Sequence, residues 1–291
     1  MKIFLVVLLH FASATCQVNE PPQENPFFEV LYFANLNGNI ENCNCGDPPL
    51  GGLDRIATII EKQRSKNPEL IVIDGGDTFN TYPFIELDKA IVEAYQIIKP
   101  DIWVLSEQEL IEGTSFLAKI SKNNLGEHVS SNYRIKQLPE SNSKKPLIAG
   151  NTNITFNSFL SPKIVRDYAN QIDNNSGLFF QNLKTLKESD FNILLLHGEE
   201  SDLVDYTTKF KIFDLILMAH EQSDVINLNA KPAIIGSGAD GENIIYISLH
   251  KSNNKIIINA ARISVGLEIE PHPAIVPIIT KYKESINQRD Q

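Results

Sequence analysis

The chain has 291 residues, 42% of them hydrophobic, enough to fill the core of one large domain or two small ones, which excludes a largely disordered polypeptide. Its formal charge is −10 and no lysine- or arginine-rich block occurs beyond Lys144-Lys145, so nucleic acid is not an expected partner. Three cysteines, Cys16, Cys43 and Cys45, are too few for a disulfide framework, and without a Cys-x-x-Cys-His run covalent haem is not expected.

Met1-Lys2, the apolar run Ile3 to Leu9 and then Ala12-Ser13-Ala14 have the form of a cleavable leader over residues 1–14, which predicts export to the periplasm or medium. That run is shorter than the roughly 20 apolar residues a membrane span needs, and no other segment comes near it, so the mature protein is not expected to be transmembrane. Cys16 stands where a lipoprotein cysteine could stand, but Ser13 and Thr15 fit such a box poorly, so a lipid anchor at Cys16 is not expected. A polar linker over 15–26 then leads into a single body over 27–291.

Phe28 to Phe33 is strand-like and ends in the turn-rich Asn35-Leu36-Asn37-Gly38-Asn39. After Gly51-Gly52, the residues Leu53, Ile56, Ile59 and Ile60 recur at helical spacing with Asp54, Arg55, Lys62 and Arg64 opposite them. Leu70 to Ile73 is a short strand running into Asp74-Gly75-Gly76-Asp77, and a second helix is expected from Glu86 to Ile98. Further strands are expected at Asp101 to Leu105, Asn192 to Leu196, Phe213 to Met218 and Ala233 to Gly236. A hairpin pairs Asn243 to Leu249 with Lys255 to Ile263, and a last helix spans Pro273 to Asn287. The alternation is that of an α/β sheet, which usually gathers ligands at strand ends. The Asn-, Ser- and Lys-rich stretch from Asn123 to Asn175 reads as irregular surface.

Seven blocks leave these strand ends in order: Asn35-x-Asn37-Gly38, Gly51-Gly52-Leu53-x-Arg55, Asp74 to Phe79, Leu105 to Glu109, Leu196-His197-Gly198, Ala219 to Gln222 and Gly236 to Gly241. Together they resemble the 5'-nucleotidase branch of the calcineurin-like metallophosphoesterases. Cys43-x-Cys45-Gly46 resembles a bacterial subgroup with a Cys-x-Cys before its Gly-Gly-Leu block. The resemblance implies a four-layer α-β-β-α sandwich and chemistry by two metal ions that clamp a phosphoryl group and activate a water.

Matched one by one, the chain keeps Asp77, His197 and His220. Asn35 and Asn37 stand where the family has Asp and His, Glu107 replaces its Asn, Gln108 its catalytic His, and Gln222 its last His. One ion site thus loses three of four donors, because carboxamides are weak ligands for transition metals. Asp77, Glu107, His197 and His220 remain as a donor set for one divalent ion, Zn, Mn or Fe. Gln108 cannot exchange a proton near neutral pH, so ordinary two-metal hydrolysis is not expected. The bland alternatives are an Asp77 that caps a helix, core histidines at 197 and 220, and a solvated Glu107. Cys43 and Cys45 are open between a local disulfide, two buried thiols, a soft metal contact and a tether for the first loop.

The sequence ends one helix after the last block, whereas typical 5'-nucleotidases carry a further domain that grips base and sugar, so nucleotide specificity has no expected home. The leading expectation is a non-catalytic binding, assembly or scaffold subunit that meets another exported protein or itself. The alternatives are a phosphoesterase with an altered metal set and a one-metal hydrolase of another ester or thioester.

Overall fold

The computed structural model describes residues 25–42, 47–123, 125–183, 189–253 and 255–288. The leader, most of the linker and all three cysteines lie outside those residues. The elements in order are β1 Phe28–Phe33, α1 Leu53–Arg64, β2 Ile71–Asp74, α2 Ile85–Ile98, β3 Ile102–Trp103, α3 Thr114–Ile120, β4 Tyr133–Ile135, β5 Lys145–Ala149, β6 Thr152–Leu160 and β7 Ile172–Asn174. They continue with α4 Ser176–Asn182, β8 Phe191–Gly198, α5 Glu200–Asp205, α6 Thr207–Phe210, β9 Leu215–His220, β10 Asp224–Asn227, β11 Ala233–Ser237, β12 Asn243–Ser252, β13 Lys255–Ser264 and α7 Val276–Asn287.

Two sheets carry the molecule. One has the order β13-β12-β1-β2-β3, the other β10-β11-β9-β8-β6-β5, and β4 pairs with β7 in a small ribbon. In the first sheet β1, β2 and β3 are parallel, with Val30 beside Ile71 and Ile73 beside Ile102. In the second, β6, β8, β9 and β11 are parallel. Strands buried on both faces need runs of apolar residues, and the middle of β8 has one: Ile193 and Leu195 face the space between the sheets while Leu194 and Leu196 face outward.

The core falls into three clusters that follow from this alternation. Val30, Tyr32, Ile73 and Ile245 of the first sheet meet Phe156, Ile193, Leu217 and Ile235 of the second. Leu31, Phe33 and Val72 face the opposite way and are covered by Leu53, Ile56 and Ile60 of α1, Ile91 and Tyr95 of α2, and Ile279 of α7. On the far side Phe159, Leu194 and Met218 are covered by Phe179 and Phe210. The layers are therefore helix, sheet, sheet, helix, and each fully buried Leu, Ile or Phe among them adds about 1.5–3 kcal/mol.

The stretch read as irregular surface is not so. It holds β4, β5, β6 and β7, and β6 lies inside the second sheet between β5 and β8. Its polar residues hid it: Thr155, Asn157 and Ser158 are buried. Ser158 Oγ donates to the Val129 carbonyl at 2.6 Å, and the backbone N–H of Ser158 donates to Ser131 Oγ. A strand that satisfies buried hydroxyls this way needs fewer apolar residues than the pattern demands. The strand expected over Asp101 to Leu105 is also shorter, Ile102–Trp103 alone.

Candidate metal centre

Parallel strands place their following loops on one edge, and both sheets do so here. Asn35 and Asn37 follow β1, Asp77 follows β2, and Glu107 and Gln108 follow β3. His197 and His220 close β8 and β9. Three of these turns are sharp: Asn37, Asp77 and His220 hold φ of 52°, 55° and 69°, the left-handed region that Asn and Asp tolerate better than other side chains.

Asp77, Glu107, His197 and His220 converge, with one potential ligand atom from each lying within 4.8 Å of the others. His197 Nε2 is 3.2 Å from Asp77 Oδ1 and 3.2 Å from Glu107 Oε2. His220 Nδ1 is 3.3 Å from Asp77 Oδ2 and 2.8 Å from Glu107 Oε1. The His197 and Asp77 side chains are 0% and 2% exposed, and Glu107 is 12% exposed, which removes the solvated reading of Glu107.

Do these residues fit an ion? Glu107 Oε2, His197 Nε2 and His220 Nδ1 are buried and, although they face one another and Asp77 across 2.8–3.3 Å, none of the three is aligned to make a hydrogen bond. Unpaired buried donors and acceptors are costly, so such a group needs an explanation. Four atoms around a tetrahedral Zn at about 2.0–2.1 Å stand about 3.3 Å apart, close to the spacing seen. His197 Nδ1 lies 3.0 Å from the Gly75 carbonyl; donating there leaves the Nε2 lone pair free to ligate. The donor set fits one divalent ion.

The charges are arranged accordingly. Burial pushes the Asp77 carboxyl up, but the facing rings of His197 and His220 outweigh it and hold the group below the usual carboxylate range. Glu107 is lowered by the same balance. Burial works against charge on the rings too, yet the two carboxylates raise His197 and bring His220 up to about 9. The carboxylates are thus held ionised and, without an ion, the two rings are held protonated, so an ion binding here would have to displace the ring protons.

Around them the expected degenerate positions have found other work. Asn35 is fully buried. Its Nδ2 donates to the carbonyls of Gly238 at 2.8 Å and Glu221 at 3.2 Å, and its Oδ1 accepts from the His220 backbone N–H at 2.8 Å. Asn37 Nδ2 donates to Asp240 Oδ1 and Asn37 Oδ1 accepts from Gln108 Nε2. Gln222 is exposed and lines the cavity above the cluster. A chain of amides therefore knits the loops together where ligands were expected.

Three supporting residues carried no role in the sequence reading. Ser106 Oγ lies 2.9 Å from Asp77 Oδ1 and accepts the Asp77 N–H. Glu109, 0% exposed, accepts from the backbone N–H of Thr78 and of Ser106. Asp240 receives Asn37. Only folding reveals such partners, since a loop Ser or Glu has no periodicity. Cys43 and Cys45 lie outside the described residues, and with them the subgroup resemblance.

A cavity of about 670 Å³ opens above the cluster, lined among others by Asp77, Glu107, His220, Glu199, Glu200 and Glu221. No helix among the described residues is long and apolar enough to cross a membrane.

No protein-family model matches the chain, and no curated protein does. Solved structures do. The sulfate thiohydrolase SoxB of Thermus thermophilus matches at 14% identity over 93% of this chain and 62% of that one, with a TM-score of 0.75. A 5'-nucleotidase precursor of Thermus thermophilus matches at 13% over 91% and 60%, with a TM-score of 0.71. The calcineurin-like phosphoesterase YfkN of Bacillus subtilis matches at 17% over 89% of this chain and 97% of that one, with a TM-score of 0.66. The chain spans about three fifths of the first two and nearly all of the third. Two facing sheets between helices, with polar loops gathered at the ends of parallel strands, are thus the calcineurin-like metallophosphoesterase fold found in 5'-nucleotidases.

Proposed function

We propose that the body over 27–291 binds one divalent ion, Zn, Mn or Fe, through Asp77, Glu107, His197 and His220, and that the protein is a non-catalytic binding or assembly subunit of an exported complex. The leader-like residues 1–14 and the polar linker 15–26 support export. The observation that carries the non-catalytic reading is the amide chain: Asn35 spends its amide on backbone groups, and Asn37 spends its own on Asp240 and on Gln108, whose Nε2 donates to it while its Oε1 stays unpartnered. Asn35 and Asn37 have no free polar atom for a second ion, and the carboxamide of Gln108 is a weak ligand that moves no proton near neutral pH.

Charge supports the same reading. Asp77 and Glu107 together balance one divalent ion, leaving no net positive charge for a phosphoryl group. No lysine or arginine lines the cavity among the described residues, although phosphoryl chemistry leans on such clamps. An ion held by all four side chains would have a closed tetrahedral set and a structural role, and it would polarise a ligand from the cavity only by taking a fifth position. The second reading, a metal-dependent phosphoesterase with an altered metal set, is favoured by the cavity itself, which at about 670 Å³ has room for a small substrate.

The deciding experiment is elemental mass spectrometry of the purified mature chain beside His197→Ala and His220→Ala, with phosphomonoester and phosphodiester turnover measured on each. One ion per wild-type chain, lost in either variant, with no turnover is expected. Two ions with turnover would hand the lead to the phosphoesterase.

A further inference from the structure

The cavity above the cluster has an acidic mouth. Glu199 and Glu200 are exposed and Glu221 is half-buried; all three line it, while Asp77, Glu107 and His220 line it as well. Lys163 reaches the lining residue Ser201 at 2.8 Å but is neutralised by Asp205 at 2.7 Å and Asp202 at 3.4 Å. Below this mouth lie the orphaned Glu107 Oε2, His197 Nε2 and His220 Nδ1. Acids at the rim and buried, unpartnered ligand atoms beneath them are two independent observations on one axis. His220, 34% exposed, keeps the cluster in reach of solvent.

Resting on the metal-binding reading above, we infer that this cavity is a cation-admitting, anion-excluding vestibule, in which Glu199, Glu200 and Glu221 draw the free divalent ion toward the cluster and repel phosphate. A cleft lined by one sign of charge focuses its field and raises the local concentration of the opposite ion, accelerating capture by about 10–10³-fold. The rim does not ligate the bound ion, so it acts on entry and leaves departure unchanged. A phosphoester enters against the same field.

The test is stopped-flow uptake of Zn²⁺ alone by the metal-free chain, at about 0.01 M and about 0.15 M ionic strength, where screening lengths are about 30 Å and about 8 Å. Glu199→Gln combined with Glu200→Gln and Glu221→Gln should slow uptake about tenfold at low salt and flatten its salt dependence. The rate of Zn²⁺ release should stay within about twofold. The double variant Glu200→Gln with Glu221→Gln leaves the α5 capping box of Glu199 and Asp202 untouched, and it should show a smaller loss of the same kind if the triple variant folds poorly. Unchanged uptake and unchanged salt dependence in both variants would overturn the inference while leaving the metal site standing. No Zn²⁺ binding by the wild type would instead remove the metal-site reading beneath it. Titration of the Zn-loaded wild type with inorganic phosphate should give no binding heat; saturable binding there overturns the exclusion of anions.

Discussion

Asn35 is the residue on which the second ion site turns. Both of its amide protons go to backbone carbonyls and its oxygen holds the His220 N–H, so it clips the turn that presents His220. Restoring the family's carboxylate there is therefore not a repair. In Asn35→Asp a carboxylate faces the carbonyls of Gly238 and Glu221 with no proton to give, and unsatisfied buried groups of this kind cost about 1–3 kcal/mol each. We expect Asn35→Asp alone to lose about 2–3 kcal/mol in urea unfolding and to gain no second ion; wild-type stability with two ions bound would contradict this. His128 offers a residue-scale pH test. Its Nε2 is buried without a partner, and burial takes its pKa down to about 4, partly opposed by the Trp103 carbonyl. Above about pH 6.5 both folded and unfolded rings are neutral. Between that and pH 4 only the unfolded ring takes a proton, so stability falls as pH drops through the window. Because the residue as a whole is half-buried, the loss is about 2 kcal/mol at most. His128→Phe should flatten that part of the stability profile, and an unchanged acid slope would refute the assignment.

At the scale of elements, α2 buries a carboxyl it would be more stable without at alkaline pH. Asp88 lies on its buried face, 1% exposed, with Oδ1 unpartnered. Burial first, then Glu112, Glu109 and Glu86, bring its carboxyl up to about 8. The folded state keeps the proton that the unfolded state releases near pH 4, so stability is lost as pH rises from about 4 to 8. Asp88→Asn should therefore melt about 5 °C higher than wild type at pH 8, from about 2 kcal/mol, and equally at pH 4; equal melting at both pH values would sink the idea. Elements whose signal is purely apolar were legible in the sequence: α1, α2, β1, β2 and the hairpin of β12 with β13 stand within a few residues of their expected bounds. The strand β6 was not, because it trades apolar side chains for paired hydroxyls such as Ser158 and Thr155. The short helices α4 and α6 were missed for another reason. They are held by the aromatic packing of Phe159, Phe179 and Phe210, contacts between residues far apart in the chain that no local window contains.

At the scale of the whole molecule, the four cluster residues were legible as types at strand ends, but not that both sheets must close to assemble them. Asp77 and Glu107 leave the first sheet, whereas His197 and His220 end strands of the second. An ion held by all four would be a strut between the sheets, alongside the Tyr32 hydroxyl that donates across to the Met218 carbonyl at 2.6 Å. The unfolded chain scatters these ligands, so an ion that binds only the folded state stabilises it by about 2.7 kcal/mol at a free concentration 100 times its Kd. For a body of this size that corresponds to a Tm rise of roughly 5–10 °C. We expect Zn²⁺ to raise the Tm of the metal-free wild type by that amount, EDTA to reverse it, and His220→Ala to show no rise. His220 suits this test because its ring is partly exposed, so removing it leaves the core between the sheets filled. A Tm that climbs equally in His220→Ala would mean that Zn²⁺ acts elsewhere on the protein, and that the shared apolar face and direct bonds such as Tyr32 to Met218 hold the two sheets without an ion.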